Sequence, residues 1–403
     1  MTTTSSGHAT AALVVSAAVL AAGCGTATST PVAATRPSPP AYAAELRPEL
    51  EALAGDMLVT GSVVMVRAPQ GDWTMTYGTR TYRGNDPVGV GDHVRVGSNT
   101  KPMTGTVILQ LVGEGRLGLD DPVSRFRPDV PNGADITIRQ LLEMRSGLYN
   151  YSEALELNQA QDAEPARVYR PEELLAMAYT RPPLYPPGQG YNYSNTNFVL
   201  LGLIIEQLTG RSASDEFRSR LAEPLAMTGT SLPAATDATI PDLHPQGYTY
   251  GTNVGTIDSL ELPPEVQAAA RAGTLAPMDV TPDNPSWAWT AGSAISTADD
   301  LVRFVQALAG GGLLPPQVQA QRLASVRPVA PDDAASPGYG LALAKFGPLY
   351  GHTGEIPGYN SFMGHDPERG ITVVVWATDA PTVDGRAPAA EMAKVVIAGL
   401  YGS

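Results

Sequence analysis

A chain of 403 residues, 43% apolar and 16% charged, holds enough apolar material for one large domain or for two that share a core. Its formal net charge of −14 argues against a nucleic-acid partner and against a polybasic membrane contact. Cys24 is the single cysteine, which excludes an intrachain disulfide.

Ala11 to Gly23 is an uncharged apolar run, too short to span a bilayer, and fits the h-region of an export signal over residues 1–24. It ends in Leu20-Ala21-Ala22-Gly23-Cys24, which resembles a bacterial lipobox. Cys24 is therefore the expected lipidation site, and a lipid anchor the only expected membrane contact. Residues 25–42, rich in Thr, Ala, Ser and Pro, are expected to form a disordered tether. The chain would then sit at the cell envelope, on the outer face of the cytoplasmic membrane.

From Ala43 to Leu58 the apolar spacing of Leu46, Leu50, Leu53 and Met57 predicts a helix. Gly61–Ala68 and Trp73–Arg80 read as a hairpin around the turn Pro69-Gln70-Gly71-Asp72. Helices follow from Met103 to Gly113, from Ile138 to Met144, and from Asn197 to the Thr209-Gly210 stop, with a polar, broken helical stretch from Asn150 to Thr180. Pro233–Asp283, dense in Pro, Gly and Thr, reads as loop. A helix from Ser296 to Leu308, three strands (Leu349–Gly354, Tyr359–His365, Ile371–Ala377) and a helix from Pro388 to Leu400 complete the chain. Two early and three late strands make one antiparallel sheet. The expected fold is thus α/β, with a helix-flanked sheet built from residues 43–97 and 285–403 and a mostly helical insertion over 98–284.

The stretch Val96-Gly97-Ser98-Asn99-Thr100-Lys101 contains S-x-x-K at the start of a predicted helix. A helix N-terminus offers N–H groups and partial positive charge to a developing oxyanion, and an amine three residues on can take the serine proton. The chain has three lysines against 23 arginines, so lysine is not its ordinary cation. Unlike arginine, a buried lysine can lose its proton. Tyr193-Ser194-Asn195 gives Y-x-N. A tyrosine against a lysine can have its pKa lowered and act as a base, and an Asn amide can hold a substrate amide. His352-Thr353-Gly354 lies on a predicted strand, where histidine could tune proton transfer near neutral pH and glycine lets a substrate backbone approach.

S-x-x-K, Y-x-N and H-T-G in this order resemble the serine penicillin-recognising enzymes, in particular D-alanyl-D-alanine carboxypeptidases and class C β-lactamases. VGSNTK, LVGEGRLGLDDPV, RQLLEMRSGLYNY, YNYSNTNFVLLGLIIEQLTG, SWAWTAGSAIST, GYGLAL and GHTGEIPGY all look like family segments in family order, covering about Leu46 to Ile397. The resemblance implies the β-lactamase/transpeptidase-like fold, with the site at the junction of its two regions. It implies Ser98 as acylated nucleophile, Lys101 as its proton partner, Tyr193 as general base, and His352 across the cleft. Asn195, Thr353, Gly354 and Trp287 would line the substrate site, and the N–H groups of Ser98 and Glu355 would form an oxyanion hole. No cofactor or metal is implied.

Two departures bear on substrate. Carboxypeptidases of this group hold the terminal carboxylate with an arginine near the GYGL-type strand and with Thr or Ser after H-T-G. Here Lys345 stands near that strand and Glu355, which would oppose a carboxylate, follows H-T-G. The leading reading is an acyl-transfer hydrolase on peptidoglycan stem peptides, of D-Ala carboxypeptidase or β-lactamase type. The alternatives are an esterase or amidase of the same family on a neutral substrate, and a non-catalytic muropeptide or β-lactam binding protein. No G-x-S-x-G and no H-E-x-x-H occurs to support a triad or zinc hydrolase.

Overall fold

Apolar residues alternate between two destinations along strand β1 (Gly61–Arg67), and this organises the molecule. Val63 and Met65 enter the larger core, while Val64 and Val66 enter a second one on the other side. The computed structural model describes residues 39–402 except 331, 334 and 335; the expected export signal, Cys24 and most of the expected tether lie outside them. Helix α1 (Ala41–Asp56) begins two residues earlier than expected, so the tether ends by Pro40.

The sheet is completed by β2 (Trp73–Gly78), β3 (Arg327–Pro328), β4 (Gly338–Gly340), β5 (Leu343–Phe346), β6 (Leu349–Ile356), β7 (Tyr359–Asp366) and β8 (Ile371–Ala377). Its order is β2-β1-β8-β7-β6-β5-β4-β3, antiparallel throughout. The five expected strands are present, and β3 to β5 extend the sheet beyond them. GYGLAL is not one strand: it covers β4, a turn at Leu341-Ala342 with Ala342 at φ 51°, and the first residue of β5, which also carries Lys345.

Helix α1 and the last helix, Pro388–Tyr401, cover one face through Leu46, Leu50, Met392 and Val396. The other face packs on the helical region and on the helix Ala298–Gly310, whose Leu301, Phe304 and Val305 are buried. Thr297 caps that helix by accepting from the Asp300 amide. In the helical region, α2 (Thr100–Gly113) lies against α3 (Asn195–Thr209), both almost wholly buried. One-face spacing marked α2 and apolar run length marked α3; α2 is buried on more than that face. The expected loop 233–283 also holds a short helix, Pro264–Arg271, and a ribbon pairing Tyr248–Thr249 with Met278–Asp279.

Candidate active site

Ser98 sits in a single 3₁₀ turn, Gly97–Asn99, immediately before α2. Gly97 has φ +53°, a conformation that glycine adopts freely. A side chain there would also meet β6, because a Cβ on Gly97 would lie 2.5 Å from the Glu355 amide nitrogen. Likewise a Cβ on Gly354 would overlap the Val96 carbonyl oxygen. The missing side chain of H-T-G is thus used by the protein itself, to seat β6 against the serine turn. This packing puts the Glu355 amide beside the Ser98 segment, where the expected oxyanion hole requires it.

Lys101, on the first turn of α2, is fully buried. Its Nζ lies 2.9 Å from Ser98 Oγ, 2.7 Å from Asn195 Oδ1 and 2.8 Å from the Ala291 carbonyl oxygen. The Tyr193 ring centroid is 4.7 Å away. Three oxygens and an aromatic face favour an ammonium, whereas burial with no carboxylate among these partners favours the amine. Burial wins and holds the pKa well below 10.5. The neutral amine loses no partner: it donates to Asn195 and Ala291, and its lone pair faces the Ser98 hydroxyl. That is the arrangement of a nucleophile and its base.

The same burial corrects two expectations. Tyr193 was expected to have a lowered pKa. Burial instead raises it well above 10, only partly opposed by its hydrogen bond with Ser98. A neutral lysine supplies no field to offset the loss of water, so the residue stays a phenol that can pass a proton on. His352, expected to titrate near neutrality, is pushed down to about 3 by burial, only partly opposed by its bond to the Thr353 carbonyl. Its Nδ1 lies 2.5 Å from the Thr353 carbonyl oxygen and donates to it, so that Nε2 accepts from the Tyr339 hydroxyl at 3.2 Å. It is a fixed neutral ring in an aromatic group with Tyr193 and Tyr339, centroids 6.1 and 5.6 Å away.

Asn195, first residue of α3, is held on two sides. Its backbone N–H donates to Asn150 Oδ1 at 3.0 Å and its Nδ2 to Ser152 Oγ at 2.9 Å. An open cleft with about 830 Å³ of space begins here, and Asn195, Trp287 and Glu355 all line it. The Trp287 carbonyl accepts from the buried Tyr151 hydroxyl at 2.6 Å, which anchors the main chain there. Glu355 is exposed, and its Oε2 accepts from Asn360 Nδ2 at 2.9 Å. The protein crowded around it raises its carboxyl pKa, moderated by the Asn360 bond. Thr353 is half-buried on β6. The structure does not bring Lys345 to this cleft: its ammonium lies 4.8 Å from the Tyr350 ring centroid, and it is not among the lining residues.

Tyr339, the Ala291 carbonyl and the Asn150–Ser152 bracket were missed as site residues. Each lies in or beside a family-like segment, but nothing in its local sequence marks it. Arg322 was missed as well. It is fully buried, donates to Thr106 Oγ1 at 2.8 Å, Pro102 O at 3.3 Å and Ala342 O at 3.1 Å, and so ties α2 to the β4–β5 turn. Burial lowers its pKa to about 9, which leaves it charged at neutral pH.

Residues 51–397 match the β-lactamase family model. The chain belongs to the β-lactamase family. Among solved structures, it is similar to a D-stereospecific amidohydrolase from Streptomyces sp., at 31% identity and TM-score 0.74, covering 89% of this chain and 99% of that one. D-amino acid amidase from Ochrobactrum anthropi SV3, complexed with L-phenylalanine amide, matches at 27% identity and TM-score 0.70, covering 89% and 98%. A penicillin-binding protein homologue from Pyrococcus abyssi, at 24% identity and TM-score 0.71, covers 89% and 77% and shares the fold. Protein Rv1367c of Mycobacterium tuberculosis (strain ATCC 25618 / H37Rv) is 29% identical over 236 residues, 54% of each chain. The chain thus spans about half the length of that relative.

Proposed function

We propose that this protein is a serine amidase or esterase that acts through an acyl-enzyme on Ser98, on substrates with no free carboxylate beside the scissile bond. The single observation that carries this reading is the charge of the cleft: Glu153 and Glu355 line it, and no Lys or Arg side chain does. A terminal carboxylate would find no counter-charge there. The similarity to amidohydrolases whose names specify D-amino acid or D-stereospecific substrates supports the same class.

In this mechanism Ser98 Oγ attacks the carbonyl carbon and its proton passes to Lys101 Nζ. The oxyanion is held by the amides of Ser98 and Glu355. The proton then moves, directly or through the Tyr193 hydroxyl, to the leaving nitrogen or oxygen. Water, deprotonated by the same pair, releases the acid. The H-T-G histidine favours a second reading, D-Ala carboxypeptidase on peptidoglycan peptides, which the same assay decides. We also propose export and lipidation at Cys24, on the strength of the apolar run and lipobox-like end; palmitate labelling lost in Cys24→Ala tests this.

The decisive assay compares a nitrophenyl ester, D-phenylalanine amide and a D-Ala-D-Ala peptide, with mass spectrometry of the Ser98 peptide. Ester and amide turnover with an acyl adduct absent from Ser98→Ala is expected. Preferential cleavage of D-Ala-D-Ala would establish the second reading, and an adduct that persists without Ser98 would defeat both.

A further inference from the structure

Resting on that amidase or esterase reading, we propose that the substrate is a peptide chain of neutral or basic residues, taken along a groove that continues beyond the reacting residue. The cleft that starts at Asn195 does not close at its far end. It shares Gln161, Asn253 and Pro357 with a second cavity beneath it and with a third that reaches the ribbon at Thr249 and Asp279. The third cavity has a volume of about 260 Å³. The connected cavities run from Asn195 to the ribbon, and a single amino-acid amide would fill only their beginning.

The groove is built and held open. Asp162 clamps its rim: Oδ1 accepts from the Asn253 amide and from Asn253 Nδ2, both at 2.8 Å, and Oδ2 accepts from the Val254 amide at 3.0 Å. Leu260 and Met278, among the few large apolar side chains the protein exposes, lie along it, at 41% and 50% exposure. Their exposure is accounted for if peptide side chains cover them.

A buried donor points to the same ligand. Arg95 is 2% exposed and lines the middle cavity. One terminal nitrogen donates to the Ala238 and Thr281 carbonyl oxygens at 2.9 and 3.0 Å, but Nε has no hydrogen-bond partner among the described residues. A buried N–H without a partner is costly, and the adjoining cavity, about 20 Å³, admits one oxygen atom, a water or the carbonyl tip of a chain lying in the neighbouring trough. The remaining charge decides the side chains. Glu153, Glu355, Asp162, Asp279 and Asp283 line the groove, against Arg95 as its one cationic side chain among the described residues. Acidic residues are disfavoured there and basic ones are not.

The test is a series with one scissile bond, D-Phe-nitroanilide, Ala-D-Phe-nitroanilide, Lys-Ala-D-Phe-nitroanilide and Glu-Ala-D-Phe-nitroanilide, on the full chain. A rise in kcat/KM of at least tenfold from the first to the Lys-extended member is expected, mainly through KM. The Glu-extended member should fall at least threefold below the Lys one. Gln161→Trp, which fills the junction, should shrink the long-to-short ratio. A flat or falling series, with the short substrate still turned over through Ser98, would overturn the groove while leaving the amidase reading intact. If none is turned over, the amidase reading fails, and calorimetry of Ser98→Ala with the same peptides as amides decides the groove. Affinity rising with length supports it; equal affinity overturns it.

Discussion

On the buried side of the site, Lys101 and His352 are held neutral, and their partners are hydroxyls, an amide oxygen and carbonyls. On the solvent side, Glu355 stands exposed on β6, three residues beyond His352, and Asp162, Asp279 and Glu355 are each satisfied by neutral donors. The first side gains its reactivity from the removal of water, which turns a lysine into a base. The second retains charge because water still reaches it, and the charge selects the substrate. The two sides therefore differ in how they respond to substitution.

The buried side should be the more fragile. Lys101→Arg preserves a cation but cannot hold the neutral state, and should lower kcat/KM by about 10²–10⁴-fold with the fold intact by circular dichroism. In the wild type the acid limb of kcat/KM should fall well below the ordinary lysine value of 10.5, because activity appears as pH rises through the depressed Lys101 pKa. Turnover close to wild type in the arginine variant would show that Lys101 is an electrostatic fixture.

Asp379 tests whether burial outranks location. It lies just before Ala380 and Pro381, which line the cleft, yet it is buried and has no cation partner among the described residues; burial raises its pKa from 3.8 to about 7. The Thr60 amide donates to Oδ2 at 2.6 Å and the Thr60 and Thr378 hydroxyls to the carboxyl at 3.2 Å, which only moderates the shift. The folded state therefore binds a proton that the unfolded chain releases. This group's stabilising contribution is complete below about pH 4 and is lost as pH rises through about 7, on the order of 4 kcal/mol across the window. In urea titrations Asp379→Asn should flatten that decline. An unchanged slope would mean that Asp379 stays ionised.

The smallest effect belongs to the exposed side. Had Glu355 been buried, its repulsion of a carboxylate would have reached several hundredfold. Glu355 is exposed, and two charges about 4 Å apart cost about 1 kcal/mol where water screens them fully, with the protein crowded around the carboxyl adding to that. Glu355→Thr should therefore raise the D-Ala-D-Ala-to-ester ratio of kcat/KM only about fivefold. A ratio that does not move would remove Glu355 from specificity and leave it contributing only its backbone amide.

The long buried elements were legible in the sequence because their periodicity and turn residues are local: β1, β2, β6, β7, β8, α2 and α3 all lie close to their expected bounds. The three motifs were legible because S-x-x-K spaces its two residues one helical turn apart, so local structure alone brings Ser98 and Lys101 together. The short strands β3 to β5 gave no such signal, since runs of two to four residues with glycine and proline have no period to read.

Protonation states were beyond local sequence. Whether Tyr193 and His352 ionise depends on how much water remains around them, and that is set by Tyr339, α2 and β6, which come from distant parts of the chain. The placement of Lys345 was equally hidden: one residue of register on β5 turns it to Tyr350. By itself, then, the sequence determined the nucleophile, its lysine and the order of the core elements, because those depend on spacing along the chain. Only the tertiary structure decided which groups are charged and which residues share the cleft, because desolvation and contact depend on what the rest of the chain packs around them.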